Sequence, residues 1–204
     1  MLVLFLILLL AVIAFFKTDV KDKFIKPKYE DVIKSDIDYD SDGLDDYTDI
    51  LNGAKDFISK KPKYKSKYYD GGYPTDEYRV CTDIIWYALK NAGYDFKTLI
   101  DEDIKNNKDE YDEDVGDTNI DFRRVRNIKV YLDRNVLKLA NDSDFNPGDI
   151  VVYKKHIAIV SDKVNSKNEN YILHQHMYQA YEYDGLFKSE ILGHYRWRLN
   201  DGKE

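Results

Sequence analysis

A chain of 204 residues with one cysteine, Cys81, has no intramolecular disulfide to draw on. It also has no excess of basic charge. The 31 Lys and Arg residues stand against 38 Asp and Glu, leaving a formal net charge of −7, and the lysines are mixed with aspartates throughout. A phosphate-backbone binder needs clustered Lys and Arg, so no nucleic acid partner is expected. There is no internal repeat. The first sixteen residues, Met1 to Phe16, carry no polar side chain. That run is shorter than the ~20 residues that span a bilayer untilted, and no Lys or Arg precedes it, so a basic n-region is missing. No cysteine follows the run, which excludes a lipoprotein anchor.

The residues that are present divide the chain in three. Residues 1–16 read as a signal peptide or membrane anchor. Residues 17–34 read as a charged tether carrying Pro27, and residues 35–200 as one domain with room for a full core. The lysines after the leader (Lys17, Lys21, Lys23, Lys26, Lys28) favour a cytoplasmic side for the C-terminal part of the chain. Against them stands the character of the domain itself, and the expectation is an extracytoplasmic protein, secreted or anchored by its N-terminal segment only. Exported proteins generally use cysteines in pairs, which marks the lone thiol of Cys81 as a candidate reactive group.

Within the domain, Tyr47, Ile50, Leu51, Ala54, Phe57 and Ile58 recur at helical spacing, and Pro62 ends that helix. A second helical run starts at Cys81 and continues through Lys90, with Gly93 at the position after the C-cap. Such a placement sets the thiol in the positive end of the helix dipole, which favours thiolate. Residues 101–121 are acidic and lysine-studded and read as a solvated loop. Helical spacing returns at Val125, Ile128 and Leu132. After the turn signal Asn146–Asp149 the pattern is strand-like: Ile150–Tyr153, His156–Val160, Tyr171–His174 and a last strand around Gly193–Trp197, with Ser161–Asn170 as a polar hairpin loop. The fold class expected is α+β, N-terminal helices packed on an antiparallel sheet.

A thiol nucleophile needs a base within hydrogen-bond reach and a third group to orient that base. Four histidines are available. His156 opens a strand after the Lys154–Lys155 turn, and His174 lies on the neighbouring strand of the same hairpin, within reach of the His156 ring. His176 points the same way as His174 and is an alternative third member. His194 falls in a segment read as structural. Asp83 reads as a capping or dipole-favourable carboxylate, and Tyr69 and Tyr73 are candidates to line a cleft.

Helix-borne Cys, strand-borne His and a polar residue on the next strand, in that order, is the layout of papain-like hydrolases. The segments Gly71–Pro74, Val80–Asp83, Asn119–Val125, Pro147–Val151, His156–Asp162, Ile172–His174 and Gly193–Arg196 resemble the NlpC-type branch of that superfamily, the bacterial cell-wall cysteine peptidases. More closely, they resemble a bacterial family catalogued as domain of unknown function 1287. The resemblance implies a papain-like fold with Cys81 as nucleophile, His156 as general base and His174 as its orienting partner. Main-chain N–H groups near Cys81 would supply part of an oxyanion hole. It implies an exported thiol hydrolase acting on the amide bonds of peptidoglycan stem peptides, with no cofactor required for catalysis. Two departures are visible: Val80-Cys81-Thr82-Asp83 replaces the usual Asp-Cys-Ser-Gly, and the connection between His156 and His174 is long. The competing readings are a non-catalytic cell-surface binding module on the same fold, and the same acyl chemistry on a lipid or thioester.

A separate signal precedes the domain's first helix. Asp38, Asp40, Asp42, Gly43 and Asp49 occupy the first, third, fifth, sixth and twelfth places of an EF-hand-like loop spanning 38–49, with Leu44 and Asp46 at the remaining ligand positions. Tyr29, Val32 and Ile33 would form a short helix ahead of it. Alternate side-chain oxygens would converge on one structural Ca2+. The competing reading is an Asx-rich turn in which Asp45 or Asp46 caps the helix.

Overall fold

Asp45 begins the first helix of the domain. Its carboxylate accepts hydrogen bonds from the Thr48 and Ser35 N–H groups, capping α1 (Asp46–Ser59) at its N-terminus. The computed structural model describes residues 32–142 and 144–199. The apolar leader, most of the tether and the proposed helix around Tyr29 therefore lie outside the described residues. Val32 and Ile33, at the tether's end, have no regular secondary structure. Ile33 is already docked: its N–H donates to Asn146 Oδ1 and its carbonyl accepts from Asn146 Nδ2.

Helix α1 buries Tyr47, Ile50, Ala54 and Phe57 against α2 (Asp83–Asn91), whose Ile84, Ile85, Ala88 and Leu89 are fully buried. Each buried Ile or Leu side chain contributes about 1.5–3 kcal/mol by leaving water. Gly93 closes α2 with φ +81°, and a Cβ there would meet the Asp40 Cβ at 2.8 Å. Two further helices follow, α3 (Phe96–Asn106) and α4 (Val125–Asn135). Helix α3 replaces the first part of the loop expected from residue 101. Asp95 caps it, and Phe96, Ile100 and Ile104 form a buried i, i+4, i+8 stripe. Two 3-10 turns, Lys108–Glu110 and Asp121–Arg123, occupy parts of the remaining acidic segment.

The strands are β1 (Lys63–Tyr64), β2 (Tyr78–Arg79), β3 (Val136–Leu139), β4 (Ile150–Tyr153), β5 (His156–Val164), β6 (Asn170–Gln175), β7 (Ala180–Tyr183) and β8 (Ile191–Leu199). Strands β1 and β2 form a short parallel pair. The other six make one antiparallel sheet in the order β3-β8-β4-β5-β6-β7. Strand β5 runs on to Val164, so its connection to β6 is only residues 165–169 rather than the longer loop expected. One sheet face (Ile150, Val152, Ile157, Ile159, Leu173, Tyr195, Trp197) closes on the helices as the main core. Alternate residues on the other face, Val151, Tyr153, Ala158, Val160 and Ile172, pack with Leu186 and Ile191 into a smaller cluster. The protein is thus α+β, with four α-helices and a six-stranded antiparallel sheet among the described residues. None of the described helices is long and apolar enough to cross a membrane.

Candidate active site

Cys81 sits in the turn that leads into α2, and that turn is held by Asp83. The carboxylate of Asp83 accepts from the Val80 N–H (2.7 Å) and from Trp86 Nε1 (2.8 Å). It is also gripped in two places by Arg123, whose Nε lies 2.7 Å from Oδ1 and whose Nη2 lies 2.9 Å from Oδ2. Both side chains are cut off from solvent, Asp83 at 0% and Arg123 at 1% exposure. Thr82 Oγ1 donates to the Arg123 carbonyl, Arg123 Nη1 donates to the Lys67 carbonyl, and the guanidinium lies 5.2 Å from the Tyr69 ring centroid. Asp83 is therefore no surface cap. It anchors the Cys81 turn to residue 123, forty positions along the chain. A bidentate Arg–carboxylate pair is the strongest geometry available for such an anchor.

The thiol itself stands two residues ahead of the first residue of α2, with Thr82 as N-cap. The N–H groups of Ile157, Thr82 and Cys81 itself are directed at the sulfur and favour thiolate, but burial outweighs them. Burial first, and the Asp83 charge second, push the Cys81 thiol up to about 11. The expected thiolate-favouring helix end is thus overridden, because the sulfur lies outside the first turn and in a largely dry site.

His156 and His174 meet on the sheet. Strand β5 starts at His156 directly after the β4–β5 turn, and the register Ile159 opposite Leu173 sets His174 diagonally across from it. His156 Nε2 and His174 Nδ1 are 2.8 Å apart. The His174 ring stacks on Tyr183 (5.6 Å between centroids, 1° between planes) and meets Tyr181 edge-on. Burial holds His156 down to about 4, with His176 adding to the effect; burial, then His156 and His176, hold His174 down to about 3. Both rings are neutral at pH 7.

Cys81, His156, His174 and His176 line a single cavity of about 450 Å³, flanked by Tyr64, Lys155 and Lys188. Three residues of its lining carry buried polar atoms with no hydrogen-bond partner: His174 Nε2, Gln175 Oε1 and His176 Nδ1. The three residues expected to form a catalytic set are thus brought to one cavity. His176 lines it as well, but the contact to His156 is made by His174. Tyr69 and Tyr73 do not line it. Tyr69 donates to Asp76 beneath Arg123, and Tyr73 packs edge-on against Trp86 and Phe122. His194 is structural, its ring bridging Asp149 Oδ2 (2.8 Å) and the Ala140 carbonyl (2.7 Å) beside the Arg196–Asp149 ion pair.

The acidic loop lies elsewhere, against the C-terminal end of α2. Asp38, Asp40 and Asp42 each place a carboxylate oxygen within 4.8 Å of the others, and Asp49 is buried beside them at the start of α1. Of the other expected ligands, Asp46 accepts at Oδ1 from the Tyr39 N–H and at Oδ2 from the Tyr94 hydroxyl. Leu44 has an exposed side chain and its N–H donates to Asp42 Oδ1. Asp45 caps α1, as the competing reading required, alongside the convergence of the three carboxylates.

Arg123 had no assigned role in the sequence. It was visible only as part of the Asn119–Val125 segment that carried the resemblance, with nothing local to connect it to Asp83.

A protein of Escherichia coli (strain K12) named uncharacterized protein YijF is 32% identical over 164 residues, covering 72% of this chain and 80% of that protein. No solved structure matches the chain. A family model described as "Domain of unknown function (DUF1287)" matches residues 51–197, a span that holds Cys81, Asp83, Arg123, His156 and His174, and the chain belongs to that family.

Proposed function

We propose that this protein is an exported thiol hydrolase of papain-like, NlpC type, cleaving amide bonds of peptidoglycan stem peptides through Cys81, His156 and His174. The observation that carries the reading is the 2.8 Å contact between His156 Nε2 and His174 Nδ1 in the cavity that Cys81 also lines. With Nε2 taken up by His174, Nδ1 of His156 is the atom left to accept the thiol proton. The sulfur bonds to the carbonyl carbon while His156 takes its proton and then delivers it to the leaving amine. Water, deprotonated by His156, splits the acyl-enzyme and restores the thiol.

The pKa values bear on how the proton moves. A gap of about 7 between Cys81 and His156, at about 1.4 kcal/mol for each, puts separate charging of the two groups about 10 kcal/mol uphill. Ion-pair attraction at about 4 Å returns about 4 kcal/mol at the effective dielectric that describes protein sites. The thiol–imidazole form therefore dominates at rest, and proton transfer is coupled to attack on the carbonyl. Lys155 and Lys188 at the cavity suit a substrate carrying carboxylates, as wall peptides do.

The raised thiol also favours a second reading, a cell-surface module that holds wall peptides without turning them over. One experiment separates the two. Purified stem peptides are incubated with the protein and with Cys81→Ala, and free amines are followed by mass spectrometry. Release by the native chain alone supports the hydrolase. Binding of the peptides by both proteins with no release by either overturns it in favour of the module.

A further inference from the structure

We propose that Asp38, Asp40, Asp42 and Asp49 form a calcium site that ties the entering chain to the far end of the Cys81 helix. The three loop carboxylates converge to within 4.8 Å of one another. Convergence alone would be unremarkable on an acidic surface, but Asp49 supplies an independent observation. It is 2% exposed, and its Oδ2 is buried with no hydrogen-bond partner. The charges of Asp42, Asp40 and Asp38 all act on its carboxyl, which therefore lies near the other three. None of the four has a Lys or Arg ion-pair partner among the described residues, whereas neighbouring Asp45 pairs with Lys34. A buried, orphaned carboxylate beside three others is costly unless a cation compensates it.

The chemistry selects the cation. The donors are oxygen only, which suits a hard ion and gives zinc or copper nothing to prefer. Three carboxylates from an irregular loop and one from the first turn of α1, completed by the Leu44 main-chain carbonyl and water, match the six to eight oxygen ligands that calcium accepts, whereas magnesium demands a near-ideal octahedron. Gly43 makes the sharp turn possible, with φ +98° and open space where a Cβ would lie. The occupied loop would be welded to α2. The Tyr39 ring stacks on Tyr94 at 4.2 Å, Asn91 Nδ2 donates to the Asp49 carbonyl (2.9 Å), and Asp40 presses on Gly93. The site lies at the opposite end of α2 from Cys81, and its loop is N-terminal to the family match. Its role is stability of the domain entrance, not chemistry, and it stands whether or not the hydrolase reading holds.

The test is thermal unfolding of the full chain, stripped with chelator and titrated with CaCl2. At calcium about a hundred times Kd, Tm rises by about 5–10 °C, and MgCl2 gives a smaller rise at equal concentration. Asp42→Ala abolishes the rise. Asp49→Asn, which keeps the shape and removes the orphaned charge, melts a few degrees higher than the native chain in chelator and no longer responds to calcium. A native chain indifferent to about 10 mM calcium, beyond the ~10⁻³ M Kd of weak extracellular sites, overturns the proposal. So does a calcium response that survives in Asp49→Asn and Asp42→Ala, which would place the ion elsewhere.

Discussion

Removing Asp83 and removing Arg123 should lower stability alike but shift the thiol in opposite directions, and this separates their structural role from their electrostatic one. Asp83→Asn leaves the Arg123 guanidinium, 1% exposed, without its counter-charge and turns an amide N–H₂ toward a donor. Breaking a buried pair from one side costs about 3–5 kcal/mol, which for a domain of this size lowers Tm by roughly 6–20 °C. Arg123→Met strands the carboxylate instead and costs a similar amount. The double variant restores neutrality, so its loss should fall short of the sum of the two by about 1–3 kcal/mol, the usual coupling of contacting residues. The thiol responds differently. The Asp83 charge raises Cys81, so Asp83→Asn lowers the pH at which Cys81 is alkylated and Arg123→Met raises it. Urea unfolding gives the first quantity and the rate of iodoacetamide labelling against pH gives the second. Additive stability losses, or thiol profiles that move in the same direction for both variants, would refute this picture of the turn.

Two further outcomes are expected from the same structure. His156 and His174 have folded pKa values depressed to about 4 and about 3 from 6.5, so below pH 6.5 the unfolded chain binds protons that the native one does not. Their stabilisation is present above 6.5 and is lost as pH falls toward 4, by at most about 3 kcal/mol each. Asp49, raised to about 6, acts with the opposite sign between 3.8 and 6, so the acid loss measured by urea unfolding should steepen in Asp49→Asn and flatten in His156→Gln/His174→Gln. Gly93→Ala forces a side chain onto φ +81° and against Asp40; the strain alone is about 1–2 kcal/mol, and calorimetry should show a Tm lowered by several degrees.

The helices α1, α2 and α4 and the strands β4, β5, β6 and β8 were legible in the sequence, because each carries an apolar run or stripe with turn residues at its ends. Helix α3 was not, since Asp101, Glu102, Asp103 and Lys105 mask the spacing of Phe96, Ile100 and Ile104. Strand β3 follows α4 without a turn, and β7 is a four-residue edge strand of Ala-Tyr-Glu-Tyr. Neither offers a boundary that local propensity could mark. The His156–His174 contact could be foreseen because a hairpin places neighbouring strands in reach. The burial of Asp83 could not, because its partner is forty residues away and only the packed α2–Arg123 contact creates the dry site. The same burial explains why the thiol lies up rather than down: a helix end is visible in sequence, but desolvation is a property of the assembled core. The Tyr94 bond to Asp46 was hidden for a similar reason, since Tyr94 comes from beyond α2.

The central claim is that His156 takes the Cys81 proton as the sulfur attacks, so that the two act as a unit. Alkylation of Cys81 against pH, in the native chain and in His156→Ala, tests it most directly. Base assistance by His156 predicts labelling that sets in on an acid limb near pH 4, where His156 frees its nitrogen, and continues toward the thiol's own titration near 11. In His156→Ala the acid limb disappears and labelling rises only as the thiol ionises. Identical profiles for the two proteins, or a native thiol that is labelled only after unfolding, would contradict it.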